Sequence, residues 1–364
     1  MTYRAPLDDL IFALRLAGGE ASFAPGGLYA DLADGVAEHT LAEAAKFAES
    51  SIHPLDRAGD RVGAKLNDGV VTTAPGWREA YTQWREGGWN ALAAAPEYGG
   101  LGLPTLLNVG CTEMWNAASM AFALCPLLSH GAIEALESHA SDALKETYLH
   151  KIVSGEWTGT MNLTEPQAGS DLALLRTRAE RAADGSYRIF GQKIFITYGE
   201  HDLVENIVHL VLARLPDAPA GTRGISLFLV PKFLPDAAGA FTIRNDLRCG
   251  GLEHKLGIHG SPTCTMHFGD NDGAVGFLIG EENKGLACMF TMMNNARLSV
   301  GVQGVALAER ATQLALAYAR ERKQGRAASA AETSAIIEHP DVARMLMTMA
   351  STTAAARAIC FETA

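Results

Sequence analysis

The sequence predicts a multidomain α and β chain. An N-terminal all-α domain is expected over residues 1–158, a middle β-barrel or β-sandwich domain over 159–275, and the start of a C-terminal helical bundle over 276–364. Three observations carry this expectation. Length comes first, because 364 residues suggest two or three domains at about 100–200 residues each. Composition comes second, since 48% apolar and 20% charged residues fit a folded rather than a disordered chain. Texture comes third: Ala, Leu, Glu and Asp dominate the first 158 residues, short runs of Ile, Val, Phe and Thr follow, and helical texture returns from Gly285.

Within the first zone, the opening MTYRAPLDDLIFALRLAGG is not a secretory signal, because Asp8 and Asp9 precede the short apolar run Leu10–Leu14 and Arg15 follows it. Thr40–Glu49 begins with an N-cap threonine and has Glu43 three residues on, a capping-box pattern. Pro96–Leu103 (PEYGGLGL) marks a loop between helices. The longest apolar stretch, Ala117–Leu128, contains Ser119 and Pro126 and falls short of the roughly 18–20 residues that cross a bilayer, so no membrane span is expected.

Strands are expected in the middle zone at Tyr187–Phe190, Lys193–Thr197, Ile207–Ala213, Ile225–Val230, Phe241–Ile243 and Thr263–Phe268, separated by turn formers such as Ala183-Asp184-Gly185. In the last zone Leu307, Ala311, Leu314 and Tyr318 alternate at spacings of four and three, which makes one apolar stripe on a helix. Gly301 and Gly304 interrupt a helix that would otherwise run over 286–323. Glycine costs about 1 kcal/mol against alanine there, so close approach of another backbone is the expected cause. Gly325–Thr333 reads as a small-residue loop, and Pro340 opens the next helix.

The formal charge, 30 − 41 = −11, gives no electrostatic footprint for nucleic acid. Six cysteines lie scattered with no C-x-x-C pair, so neither a zinc site nor a disulfide framework is expected, and reduced thiols fit a cytoplasmic protein. The 11 histidines form no H-x-x-x-H or H-E-x-x-H pattern, which disfavours metal catalysis. His254 and His259 read as turn residues and His130 as a structural residue.

The block Gly159–Leu172 (GTMNLTEPQAGSDL) is the most informative. Gly169-Ser170 can offer backbone N–H groups to a phosphate and Thr164 a hydroxyl to a ring acceptor. Taken alone, it reads more readily as a polar interdomain turn, because short glycine motifs match by chance often. Its neighbours decide otherwise: Pro96-Glu97-Tyr98-Gly99-Gly100, Ser129-His130-Gly131, Leu163–Asp171, Gly191-Gln192-Lys193 with Phe195-Ile196-Thr197, Lys255-Leu256-Gly257, Gly280–Gly285 (GEENKG) and Arg320–Gln324. In that order, and spanning nearly the whole chain from residue 96, the series resembles the FAD-dependent acyl-CoA dehydrogenase family. Tyr3–Phe12 (YRAPLDDLIF), Lys255–Cys264 (KLGIHGSPTC) and Asn294–Gly301 (NNARLSVG) are most similar to its 3-(methylthio)propanoyl-CoA dehydrogenase subgroup.

The resemblance implies Met161, Leu163 and Thr164 against the flavin ring, Gly169 and Ser170 along the FAD pyrophosphate and the pantetheine path, Phe195 covering the flavin and Thr197 near its N5. It implies that Arg322, with Gln324 in the same run, reaches the FAD diphosphate of a neighbouring subunit, and that Ser170, Asn294 and Arg297 meet the acyl-CoA. The residues support part of this. Alternation along Lys193–Thr197 puts Phe195 and Thr197 on one face, although Phe195 alone reads as core. A guanidinium fork suits phosphate, although Arg322 alone reads equally as a basic last turn on a helix dipole. Asn294 stands where the family commonly has Asp, and Gly325-Arg326 follows Gln324 where it has Phe-Gly.

The implied reaction is α,β-dehydrogenation of an acyl-CoA, with a carboxylate taking the α-proton and the β-hydrogen leaving as hydride. An electron-transfer flavoprotein as acceptor and a homodimer or homotetramer are implied with it. No catalytic base is found here. Some family members carry it one residue before the arginine matched by Arg297, but here that residue is Ala296. Glu309 lies 13 residues further on, about 20 Å along a helix, and Glu281 and Glu282 read as solvated turn charges. The base is expected beyond Ala364, so the chain is expected to be part of a longer enzyme. An acyl-CoA oxidase on the same fold and a non-catalytic FAD- or CoA-binding subunit are the alternatives.

Overall fold

The computed structural model describes residues 3–327 and 332–364, so the loop expected over 325–333 falls partly outside the described residues. Helices come first: α1 (Leu7–Gly18), α2 (Val36–Phe47) and α3 (His53–Val62). A short hairpin of β1 (Lys65–Asn67) and β2 (Val70–Thr72) follows, then α4 (Trp77–Glu86), α5 (Thr105–His139) and α6 (Asp142–Val153). The strands β3 (Trp157–Asn162), β4 (Arg178–Arg181), β5 (Tyr187–Thr197), β6 (Asn206–Arg214), β7 (Ile225–Pro231), β8 (Phe233–Pro235), β9 (Phe241–Arg244), β10 (Leu247–Leu252), β11 (Thr263–Phe268) and β12 (Ala274–Ile279) come next. Two long helices close the order, α7 (Gly285–Glu321) and α8 (Pro340–Thr363), the latter with Pro340 in its first turn.

Several local expectations change. The β1–β2 hairpin lies in a stretch expected to be helical; its two-residue turn is Asp68-Gly69, both at positive φ (49° and 78°), the strongest short hairpin signal there is. Thr40 sits inside α2 rather than capping it, because the helix already starts at Val36 behind Gly35 at φ 86°. The apolar stretch around Ala117–Leu128 belongs to the 35-residue α5, which is long and apolar enough to cross a membrane by length and composition. The apolar window is 78% buried inside the protein, which marks a core helix. Nor do Gly301 and Gly304 interrupt α7. A Cβ at Gly301 would meet only Cys360 Sγ at 3.5 Å, and one at Gly304 nothing within 4 Å, so no backbone crosses there.

The chain divides into two compact units. One comprises Leu55–Gly102 and Ala121–Arg297 and holds the strands. Its main sheet runs β10-β11-β5-β12-β7-β6-β3, with β4 pairing beside β5 and β6. β6 and β7 are central and buried on both sides, so their sequences are continuous apolar runs: Val208, Leu210, Leu212, Leu227 and Leu229 enter one core, and Val211, Ala213, Phe228 and Val230 the other. Beside them β3 pairs in parallel with β6 (Trp157 with Asn206 through Asn162 with Val211). Its alternation sends Thr158, Thr160 and Asn162 to one face. On the other face Gly159 lets α5 approach, since a Cβ there would lie 2.3 Å from that of Ala132.

The second unit comprises Met1–Pro54, Leu103–Met120 and Leu298–Ala364. Leu10, Leu14, Leu41, Ala44, Leu107, Met114, Val302, Ala306 and Phe361 are buried there. At its centre Arg357 donates to both oxygens of Glu113 (2.7–3.0 Å) and to Glu309 Oε2 (2.8 Å). The stripe Leu307, Leu314 and Tyr318 is exposed.

Candidate active site

The segment leaving β3 is built around Glu165. Its backbone closes a turn with Ala168 (Glu165 N to Ala168 O, 2.9 Å, and Ala168 N to Glu165 O, 3.0 Å). The buried carboxylate accepts from Lys193 Nζ (2.8 Å), Thr177 N (3.0 Å), Arg176 N (2.8 Å) and Gln167 Nε2 (2.6 Å). Burial pushes the carboxyl up, but Lys193 and these N–H donors outweigh it and hold it below the ordinary carboxylate range. The Lys193 side chain is fully buried, and desolvation pulls it down to about 8 against the opposing pull of Glu165. At neutral pH the 2.8 Å pair therefore stands as ammonium and carboxylate.

This turn leaves Gly169 and Ser170 exposed. A Cβ at Gly169 would touch only Thr164 Cγ2, at 3.7 Å, so backbone there is open to a ligand. Asp171 turns inward on the chain and accepts from Ala173 N (2.9 Å), capping a short helical turn. Met161 and Leu163 are partly buried against the core shared by α5, β6 and β7.

β5 lies alongside, with Ile194 N donating to Thr164 O (2.9 Å) and Lys193 Nζ to Leu163 O (3.0 Å). These links bring Leu163 and Thr164 beside the Lys193–Phe195 stretch of β5. Alternation holds from Phe195 to Thr197, on either side of buried Ile196, but breaks between Lys193 and Phe195. β11 pairs Met266 with Lys193 and Cys264 with Ile196, so Ile194 and Phe195 together face the single Thr265, a β-bulge. Lys193 and Ile196 both point into the core, and Phe195 does not. It is 57% exposed, which overturns the core reading, and it holds φ at 60°, a conformation that a bulky residue adopts at a cost.

Asn294 and Arg297 are exposed on α7, one turn apart, with Arg297 Nη1 donating to Asn294 Oδ1 (2.8 Å) and its guanidinium 5.3 Å from the Phe290 ring. Between them, Ala296 packs against the core. Arg322 and Gln324 belong to the other unit, where Arg322 Nη2 donates to Gln324 Oε1 (2.6 Å). Glu309 is tied to Arg357, and Glu282 to Arg181 and Tyr187, so neither stands free to act as a base. His130 is neutral, held down to about 4 by burial. Sequence reasoning missed Lys193 and Glu165 as site residues. Their signal was present, a lysine inside a strand and a glutamate after Thr164, but no local pattern joins positions 28 apart.

Three family models match in order: the acyl-CoA dehydrogenase N-terminal domain over 37–156, middle domain over 160–271 and C-terminal domain over 283–364. A 3-methylmercaptopropionyl-CoA dehydrogenase of Ruegeria pomeroyi is 50% identical over 100% of this chain and 62% of its own length. A broad-specificity linear acyl-CoA dehydrogenase of Mycobacterium tuberculosis is 34% identical over 100% of this chain and 61% of its own. The chain thus spans about three fifths of the length of these relatives. An acyl-CoA dehydrogenase of Bacillus anthracis, solved in complex with FAD, shares the fold at a TM-score of 0.70 and 24% identity, over 89% of this chain and 49% of that one.

Proposed function

The chain belongs to the acyl-CoA dehydrogenase family, and on that premise we propose that it takes part in FAD-dependent α,β-dehydrogenation of an acyl-CoA thioester to the 2-enoyl-CoA. The carrying observation is the Glu165-centred turn locked to the β5 bulge, which presents Thr164, Gly169, Ser170 and Phe195 together. These residues fit the cofactor. An exposed aromatic ring on strained backbone suits one face of a flavin, and the open Gly169-Ser170 backbone suits a diphosphate. Bound FAD would supply the hydride acceptor. Met161 and Leu163 would give the ring an apolar wall, the Thr164 hydroxyl a hydrogen bond, and Thr197 a contact near N5. Arg322 and Gln324 would serve the FAD diphosphate of a neighbouring subunit.

On the substrate side, Ser170, Asn294 and Arg297 would hold the acyl-CoA; Arg297 supplies a fixed cation and Asn294 orients it. The substrate is taken to be a short thioether-bearing acyl-CoA, in line with the 50% identical Ruegeria protein. An electron-transfer flavoprotein is the proposed acceptor, a homodimer or homotetramer the proposed assembly, and the cytoplasm the proposed location. Ala296 leaves no carboxylate beside Arg297, so the reading takes the proton acceptor from outside these 364 residues. That same alanine favours a second reading, a subunit that binds FAD and completes a partner's site. Anaerobic titration of the FAD-loaded protein in its full length, with no partner added, against a panel of acyl-CoAs separates them. Bleaching by 3-(methylthio)propanoyl-CoA supports the dehydrogenase, whereas tight acyl-CoA binding without bleaching supports the partner subunit.

A further inference from the structure

We infer that the buried Lys193–Glu165 ion pair is a positioning device, holding the flavin-contact segment Leu163–Thr164 and the Phe195 bulge in one fixed register before any cofactor arrives. The inference rests on the flavin reading of the site. Neither residue was assigned a role by sequence, and neither touches a face open to ligand, since their side chains are 0% and 3% exposed.

Four links make the case. Lys193 Nζ donates to Glu165 Oε1 (2.8 Å) and to the Leu163 carbonyl (3.0 Å). The next residue along β5, Ile194, donates its N–H to the next carbonyl, that of Thr164 (2.9 Å). Successive residues of one strand thus grip successive peptides of the turn. Glu165 in its turn accepts from Arg176 N and Thr177 N, which fixes the chain entering β4. Immediately beyond Ile194 stands Phe195 at φ 60°, so the same strand segment that grips the turn also carries the strained aromatic. The two surfaces that would sandwich a planar ring are in this way spaced by one ion pair.

Packing alone does not call for charges here. Removing two ions from water costs several kcal/mol each, and a well-packed apolar pair often serves stability as well or better. What a lysine adds is direction: a cation at the end of a four-carbon stem that binds a carboxylate and a carbonyl at once. Preorganised donors and contacts improve binding by cutting the ordering cost at the moment of association.

The test replaces the pair by Lys193→Met with Glu165→Gln, which fills the volume, leaves no orphaned charge, and keeps an acceptor oxygen for one of the two N–H groups, Arg176 N and Thr177 N, that meet different oxygens of Glu165. Apoprotein is titrated with FAD, and the long-wavelength absorption band and fluorescence of the bound flavin are recorded with the apoprotein melting temperature. The expected result is cooperative apoprotein unfolding, FAD bound at least tenfold more weakly (about 1.4 kcal/mol), and a bound-flavin spectrum drifting toward that of free FAD. An FAD affinity within twofold of the parent and an unchanged spectrum would overturn the inference. Glu165→Gln alone strands the buried Lys193 ammonium and is the harsher arm, expected to show the same spectral drift with a lower apoprotein melting temperature than the double variant. Failure of both variants to fold would make the pair a general core support and sink the positioning role. Parent protein that takes up no FAD would instead remove the flavin reading, and this inference with it.

Discussion

Phe195 concentrates the tension between stability and function. A left-handed backbone costs an ordinary residue about 1–2 kcal/mol, and a ring 57% exposed recovers little by burial. The residue is therefore held by what surrounds it, the two-against-one bulge opposite Thr265, and not by its own side chain. Phe195→Gly should leave the apoprotein as stable as before or up to about 1 kcal/mol more stable, because glycine takes positive φ without strain. A buried phenylalanine cut to a small residue would lose about 3–5 kcal/mol instead. Urea unfolding of the apoprotein distinguishes the two, and a loss above about 2 kcal/mol would show that Phe195 is a packing residue after all. The same variant should bind FAD more weakly, since its aromatic cover is gone.

Elements differ in how plainly their sequences announce them. β6 and β7 are legible because burial on both faces demands an unbroken apolar run, and α8 because Pro340 opens it. β3 is not, because its buried face is Thr158, Thr160 and Asn162, polar residues whose bonds run to His201 and His209, 43 and 49 positions away, and from Asn162 to Thr160. The bulge escaped for a related reason: one added residue flips the face of everything before it, and only the β11 pairing reveals it. In the site, Thr164, Gly169 and Ser170 are legible only through the order of motifs along the chain, whereas Lys193 and Glu165 depend on a contact between positions 28 apart. α7 offers an element-scale test of a reading that failed. Gly304 is exposed and a Cβ there would touch nothing within 4 Å, so Gly304→Ala should raise stability by about 0.5–1 kcal/mol through helix propensity alone. Thermal unfolding checks it. A fall in melting temperature would mean that something outside these residues packs on that face of the helix.

Across the whole molecule, the groups that resist protonation are unevenly placed. His130, His201 and His209 all lie in the strand-bearing unit, and burial holds them down to about 4, 3 and 3. Lys232 adds to the depression at His201, and Arg244 and Lys232 at His209. His201 is fixed as one tautomer: Leu203 N donates to Nδ1 (3.2 Å), leaving Nε2–H for Thr158 Oγ (3.0 Å), so a second proton would break the first bond. The sign follows from proton counting. An unfolded imidazole titrates near 6.5, so between about 6.5 and 3 the unfolded chain binds protons that the folded chain refuses, and stability falls as pH falls through that window. At pH 5 each of His201 and His209 should cost about 2 kcal/mol relative to the fully deprotonated limit. The urea midpoint should therefore drop steeply between pH 7 and pH 5. His209→Gln keeps a side-chain partner for Thr160 but cannot titrate, so it should flatten that drop. An acid limb as steep in the variant as in the parent would show that the lability comes from elsewhere, and that the polar row behind β3 does not set the lower pH bound on the strand-bearing unit.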